Sequence, residues 1–158
     1  MTLCCDSLAT PMGVLQLSAT DLGLTSIRFP DANLRQCKPK RSHPILEQSK
    51  QELSAYFRGD LTHFSIPLAW EGTSFQEAVW RALVAIPFGH TVSYADIAVA
   101  VGRPRAARPV GGAVGRNPIP IIVPCHRVIG SDRSLTGFTG GLTIKETLLQ
   151  LEGCVVSD

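Results

Sequence analysis

Alternating apolar and polar positions open the chain. Thr10-Pro11-Met12-Gly13 reads as a turn, and Val14, Leu15 and Leu17 follow it in a strand-like run. Asp21-Leu22-Gly23 reads as a second turn, leading into Leu24-Thr25-Ser26-Ile27-Arg28-Phe29. Residues 2–29 therefore predict a small antiparallel sheet. Residues 30–43 are polar, carry Pro30, Pro39 and the Lys38-Pro39-Lys40-Arg41 cluster, and predict an exposed loop. The period then becomes helical. Leu46, Leu53, Tyr56 and Phe57 share a stripe, Pro44 suits the first turn and Gly59 the end. Residues 62–69 are expected to return as a strand, and Trp70-Glu71-Gly72-Thr73 marks a boundary between two lobes, 1–72 and 73–158.

The second lobe predicts a run of helices. Ser74-x-x-Glu77 reads as a capping box for a helix with Phe75, Val79, Ala82, Leu83 and Ile86 on one stripe, stopped by Pro87. Ser93-x-x-Asp96 starts a second helix carrying Tyr94, Ile97, Ala98 and Val101, which ends at Gly102. A third is expected over about Ala106 to Gly115, with Pro109 tolerable only in its first turn, so that Arg108 stands at its N-terminus. This is the layout of a helix-turn-helix, although a purely structural helical pair reads the same. Gly111 and Gly112 within that helix cost ~1 kcal/mol each relative to alanine, which a close approach by DNA or another element would explain. Asn117-Pro118 turns the chain into an apolar strand, Ile121-Ile122-Val123, ended by Pro124. Gly130 to Ser134 predict a tight turn of wing type and Gly137 to Gly141 a flexible loop bearing Phe138. Thr143 is expected to cap a last helix with Ile144, Leu148 and Leu151 inward and Glu152 at its end.

Composition fits this division. A chain of 158 residues that is 44% hydrophobic makes one domain of ordinary size or two small lobes, and excludes disorder. No apolar run approaches the ~18 residues of a membrane span, and no secretory signal opens the chain. The five cysteines (Cys4, Cys5, Cys37, Cys125 and Cys154) are odd in number and form no Cys-x-x-Cys pair. They argue against a disulfide scaffold and for a reducing compartment, hence a cytoplasmic protein. Cys4, Cys5 and Cys37 with His43 or His63 match no metal motif, so no metal is expected. Net charge is only +2, but from Ile97 to Ser131 there are five arginines (Arg103, Arg105, Arg108, Arg116 and Arg127) and no acid. Such a stretch suits phosphate or base contacts better than an incidental basic surface.

The candidate chemistry lies at Pro124-Cys125-His126-Arg127. A free thiol has a pKa of ~8.5 and is only a few per cent thiolate at neutral pH, so a reactive Cys125 needs help. His126 and Arg127 are groups that could give it. A buried structural cysteine beside a loop histidine is the alternative on these residues alone.

Taken together, Arg108-Pro109-Val110-Gly111-Gly112-Ala113-Val114, Asn117-Pro118-Ile119-Pro120, Ile122-Val123-Pro124-Cys125-His126-Arg127-Val128-Ile129 and Gly140-Gly141 closely resemble the O6-alkylguanine-DNA alkyltransferase family. Phe75-Gln76, Trp80 and Ser93-Tyr94 add to the likeness. It is strong from Thr73 to Gly153 and only a general pattern before that. The resemblance implies an α+β fold: a small N-terminal antiparallel sheet with a helix, of ribonuclease-H-like type, and a C-terminal helical winged helix-turn-helix domain. It implies direct repair of double-stranded DNA containing O6-alkylguanine, by a monomer without cofactor. The alkyl group moves irreversibly from O6 of a flipped guanine to a cysteine, once per molecule. By the same resemblance Cys125 is the acceptor, His126 the base acting through a water, and Glu152 the carboxylate that orients it. Asn117 is the hinge between recognition helix and active-site strand. Tyr94 aids flipping and donates a proton toward the guanine. Arg108 is the finger that replaces the extruded base, with Gly111, Gly112, Ala113, Arg103, Arg105 and Arg116 also facing DNA. Cys125, Val128 and Thr139 hold the base by their main chains, with Phe138 and Pro120 beside it.

The chain departs from the family pattern at Pro109, at Phe138 where tyrosine is common, and at Gly115-Arg116, and it does not match the zinc ligands of some members. Three rival readings remain. A non-catalytic lesion binder of alkyltransferase-like type would lack the cysteine. A winged-helix regulator would need no thiol and would favour side chains that read base edges. A cysteine hydrolase using Cys125, His126 and Glu152 would need an oxyanion hole, for which no motif is evident.

Overall fold

The computed structural model describes residues 3–30, 43–132, 138 and 140–154, and the chain divides into two compact units, Met1–Glu71 and Gly72–Asp158. The first holds an antiparallel sheet of β1 (Cys4–Thr10), β2 (Gly13–Thr20) and β3 (Gly23–Arg28), in that order. Alternation decides its faces: Leu15, Leu17 and Ala19 of β2 are wholly buried, while Gln16 and Ser18 between them are only partly so. Helix α1 (Pro44–Phe57) starts with Pro44 in its first turn and His43 as cap, whose Nδ1 accepts the Ile45 N–H at 3.1 Å. It buries Leu46, Leu53 and Tyr56.

Two expectations change here. Residues 62–69 make no strand; they form a single bridge, in which the Leu24 N–H donates to Pro67 O and the Ala69 N–H to Leu24 O, both at 2.8 Å. Pro67 has no N–H to extend the ladder. That bridge passes so close to the backbone of Gly23 that a Cβ there would lie 2.5 Å from Pro67 O, and Gly23 has φ +153°. Cys5 is disulfide-bonded, whereas Cys4, Cys125 and Cys154 are free thiols. An odd cysteine count guarantees a leftover thiol but does not forbid a pair. Most of the expected 30–43 loop lies outside the described residues.

The second unit contains α2 (Ser74–Val84), β4 (Val92–Ser93), α3 (Tyr94–Ala100), α4 (Ala107–Gly115), a 3-10 turn at Cys125–Arg127, β5 (Val128–Ile129) and α5 (Leu142–Leu151). The capping box of α2 lies one residue earlier than Ser74-x-x-Glu77. Thr73 is the cap, its hydroxyl accepting the Gln76 N–H at 3.1 Å while Gln76 Oε1 accepts the Thr73 N–H at 3.0 Å. Ser93 and Asp96 cap α3 as expected. Helices α2, α3 and α4 pack on one another through Val79, Trp80, Leu83, Ile97, Ala98, Val110, Ala113 and Val114. The Trp80 indole N–H donates to Ala113 O at 2.9 Å, tying α2 to α4. Pro109 is the third residue of α4, where its missing N–H is harmless.

The apolar run before Cys125 is a buried loop, not a strand. Its only pairing among the described residues is a bridge between Pro120 and Val123. Pro118, Pro120 and Pro124 remove the donors a ladder would need. Gly141, with φ +97°, takes the cap position of α5, and Thr143 lies inside the helix. Lys145, Leu148 and Leu149 are its buried residues, while Leu151 is exposed. Residues 133–137 and 139, and with them the last two residues of the expected wing turn and part of the loop at 137–141, lie outside the described residues. Among those described, no helix is long and apolar enough to cross a membrane.

Candidate active site

Asn117 organises the loop that delivers the thiol. Its Nδ2 donates to Val123 O at 2.8 Å and its Oδ1 accepts the Ile119 N–H at 2.9 Å. The Val123 N–H closes the loop onto Ile119 O at 2.9 Å. Inside this clamp Ile121 is wholly buried and has φ +74°. A β-branched residue rarely adopts that conformation, at a cost of roughly 1–3 kcal/mol, so the clamp and the burial of Ile119, Ile121 and Val123 together hold it there. The chain then turns sharply at Pro124. The Cys125 N–H donates to Val123 O at 2.8 Å, and the Arg127 N–H to Pro124 O at 3.0 Å.

Cys125 is only 4% exposed. Burial pushes its thiol up to about 11, against a side-chain hydrogen bond from Asn117 and the charge of Lys145, which act the other way. His126 beside it is fully buried, with Nε2 2.6 Å from Glu152 Oε2. Arg127 grips the same carboxylate twice, through Nε to Oε1 at 2.7 Å and Nη2 to Oε2 at 3.0 Å, and its Nη1 donates to Ile86 O at 2.6 Å. The Gly89 N–H approaches Glu152 Oε1 at 3.4 Å, from a residue with φ +80°. A carboxylate shared with an arginine can only accept, so Nε2 carries the ring hydrogen and Nδ1 presents a lone pair. That Nδ1 is a buried polar atom with no hydrogen-bond partner. Burial lowers the pKa of His126, opposed by its bond to Glu152, and keeps the imidazole in its neutral, proton-accepting form.

The rest of the expected site is distributed around this centre. Parallel pairing of Val92–Ser93 with Val128–Ile129 puts Tyr94 one residue beyond the end of the ladder that follows the Cys-His-Arg turn. A Cβ on Gly111 would meet the Tyr94 ring at 3.8 Å, whereas one on Gly112 would meet nothing within 4 Å. Arg103, Arg105, Arg108 and Arg116 are exposed, with Arg103 lying over the Phe75 ring at 5.4 Å. Pro120 and Val128 are buried, Phe138 is half-buried, and Thr139 lies outside the described residues.

Two assignments need correction. Arg127 does not belong with the DNA-facing arginines, because it is spent within the Glu152 ion pair. Ala113, only 4% exposed, packs α4 against α2 and is not on the open face of α4. Sequence reasoning also passed over Lys145, whose Nζ donates to Val128 O at 2.6 Å from a fully buried side chain. Its signal was its place three residues before Leu148, on the inward stripe of α5. Among the described residues no group of three or more His, Cys, Asp or Glu side chains could hold a metal ion.

A buried thiol, a neutral imidazole with an open nitrogen and a carboxylate fixed behind it define a protein of nucleophilic thiol chemistry, carried beside a helical pair with exposed arginines. Residues 74–154 match the family described as 6-O-methylguanine DNA methyltransferase, DNA binding domain, and residues 3–70 match its ribonuclease-like domain. The methylated-DNA–protein-cysteine methyltransferase of Methanosarcina barkeri is 47% identical over 150 residues, covering 93% of this chain and 95% of that protein. The crystal structure of Mycobacterium tuberculosis O6-methylguanine methyltransferase superimposes with a TM-score of 0.87 at 41% identity, over 99% of this chain and 97% of that one. The same organism's protein in complex with DNA gives 0.84 at 44% identity, over 92% and 90%. This chain belongs to the methylated-DNA–protein-cysteine methyltransferase family.

Proposed function

We propose that the protein repairs O6-alkylguanine in double-stranded DNA by moving the alkyl group irreversibly to Cys125. The observation that carries this reading is the open Nδ1 of His126, directly after the buried thiol, with Nε2 pinned by the Glu152–Arg127 pair. Side chains of adjacent residues seldom face each other, so a water carries the Sγ proton to Nδ1. The Sγ–carbon bond forms as the carbon–O6 bond breaks, and the electron pair passes into the guanine, which takes a proton on the side of Tyr94. Positive charge developing on His126 is matched by Glu152, in the manner of other nucleophile–base–carboxylate relays.

Arg108, exposed in the first turn of α4, fills the stack when the damaged nucleotide turns out of the duplex. Unstacking costs a few kcal/mol, which an inserted side chain partly offsets. Gly112 leaves α4 open for a close approach, and Arg103, Arg105 and Arg116 meet phosphates. Asn117, bonded both to the loop and to the thiol, holds the acceptor in place. Val128, Pro120 and Phe138 lie beside the extruded base. The acceptor must remain a reduced thiol and its substrate is genomic, which places this work in the cytoplasm.

A thioether carbon is not an ester, and water activated by His126 cannot readily release it. Mixed with excess O6-methylguanine DNA, the protein should therefore gain the mass of one methyl group, on the peptide containing Cys125. Cys125→Ser should transfer nothing yet keep DNA binding. Several turnovers per molecule, a label on another cysteine, or tight lesion binding without transfer would overturn the reading.

A further inference from the structure

Of the exposed arginines between Ile97 and Ser131, Arg103 is the one that lies over an aromatic ring among the described residues, its Cζ 5.4 Å from the centroid of Phe75. That is within the ~6 Å at which the face of a ring holds a guanidinium. The chain fixes the backbone of this arginine from both sides. Helix α3 closes with Gly102 at φ +77°, where the Gly102 N–H donates to Val99 O at 3.0 Å and the Arg103 N–H to Ala98 O at 2.9 Å. In that closure the residue after the glycine is ordinarily apolar and packs back on its own helix. Here it is an arginine, and it crosses instead to the second residue of α2. On the other side Pro104 restricts its backbone, and its carbonyl accepts the Ala106 N–H at 2.9 Å. Phe75 is half-buried and Arg103 exposed, so the ring is the anchored partner. Among the described residues no carboxylate pairs with this guanidinium. The ring occupies its face, and the donors around its edge stay open.

We propose that Phe75 is a positioning residue for DNA binding: its ring holds Arg103 at the turn between α3 and α4, with the guanidinium set for a phosphate before the duplex arrives. This rests on the reading that Arg103 meets phosphate. A free arginine side chain loses its rotamer freedom on binding, which costs roughly two- to tenfold in affinity. A guanidinium already stacked on a ring has lost part of that freedom beforehand.

Fluorescence anisotropy with a short undamaged duplex, repeated over a range of salt, tests this without any alkyl transfer. Arg103→Ala should weaken binding and lower the salt slope by roughly 1, the share of one phosphate contact. Phe75→Leu should weaken binding about threefold and leave the slope as it was, because the charge remains. Phe75→Tyr keeps the ring face and should bind as the unaltered protein does. In the Arg103→Ala background, Phe75→Leu should cost nothing more.

Full affinity in Phe75→Leu would overturn the proposal. So would a loss of the same size with and without Arg103, which is what a merely structural ring would give, or equal losses in Phe75→Tyr and Phe75→Leu. Phe75→Met, which fills the space without a ring, takes the place of Phe75→Leu if that variant does not fold. If the cycle holds but O6-methylguanine DNA leaves Cys125 unalkylated, the proposed function fails and the role of Phe75 stands. If alkyl transfer occurs but Arg103→Ala keeps the full salt slope, the role of Phe75 falls and the function stands.

Discussion

The fold keeps His126 neutral, which is the state the proposed base needs. Burial favours the uncharged ring, and Glu152 only partly opposes this. The unfolded chain binds a proton near 6.5, while the folded one does so only at lower pH. Between those points the unfolded state holds the extra proton, so stability falls as pH falls. Urea unfolding should show a loss of up to ~1.4 kcal/mol per pH unit below 6.5 from this residue, absent in His126→Gln. Alkyl transfer by the folded protein should hold through that window and decline only at lower pH, where the buried ring itself takes a proton and cannot accept one from the thiol. A stability that held level through that range in both proteins would show that His126 is not kept neutral. Residue type was legible in the sequence here, but residue state was not. Arg127 read as one cation in a run of five, and nothing in the run revealed a partner 25 positions away at Glu152.

At the scale of elements, the starts of α1 and α3 announced themselves, whereas the caps of α2 and α5 were misplaced and the loop before the thiol was not foreseen. Ser93-x-x-Asp96 and Pro44 specify helix starts through local bonds, and local bonds are what a sequence shows. Ile121-Ile122-Val123 has strand composition, but the N–H of Val123 goes to Ile119 O and its carbonyl to the Asn117 amide and the Cys125 N–H, so both its ladder groups are taken within the loop. The last helix was found but its face was misjudged: Leu151 is outward and a lysine inward. Helix α4 came out as its pattern required, with Arg108 exposed in the first turn ahead of Pro109. On the proposed finger role, Arg108→Ala should slow repair of O6-methylguanine in duplex DNA by at least tenfold, from loss of part of the few kcal/mol of unstacking that the side chain would offset. Its reaction with free O6-benzylguanine should be nearly unchanged. Equal losses on both substrates would remove the finger role.

For the whole molecule, binding to DNA is an electrostatic property with few carriers. With Arg127 buried, the exposed arginines of the Ile97–Ser131 stretch are Arg103, Arg105, Arg108 and Arg116. If three or four of them meet phosphates, log affinity should fall against log salt with a slope of roughly −3, and somewhat less steeply in Arg116→Ala. A slope near zero would mean that the stretch does not bind the backbone.

The near-complete enclosure of Cys125 bears on time as well as on reactivity. A molecule that acts once has to wait, unspent, between its synthesis and its single encounter with a lesion. With burial pushing its thiol up to about 11, the resting sulfur is protonated at neutral pH, with less thiolate than the few per cent of an unperturbed cysteine. Peroxide, glutathione disulfide and stray alkylating agents all attack the thiolate, so each finds the resting sulfur both hidden and protonated. The same burial that makes the acceptor sluggish on its own gives the idle protein a long shelf life, and the cell's repair reserve stays close to the number of copies it has made.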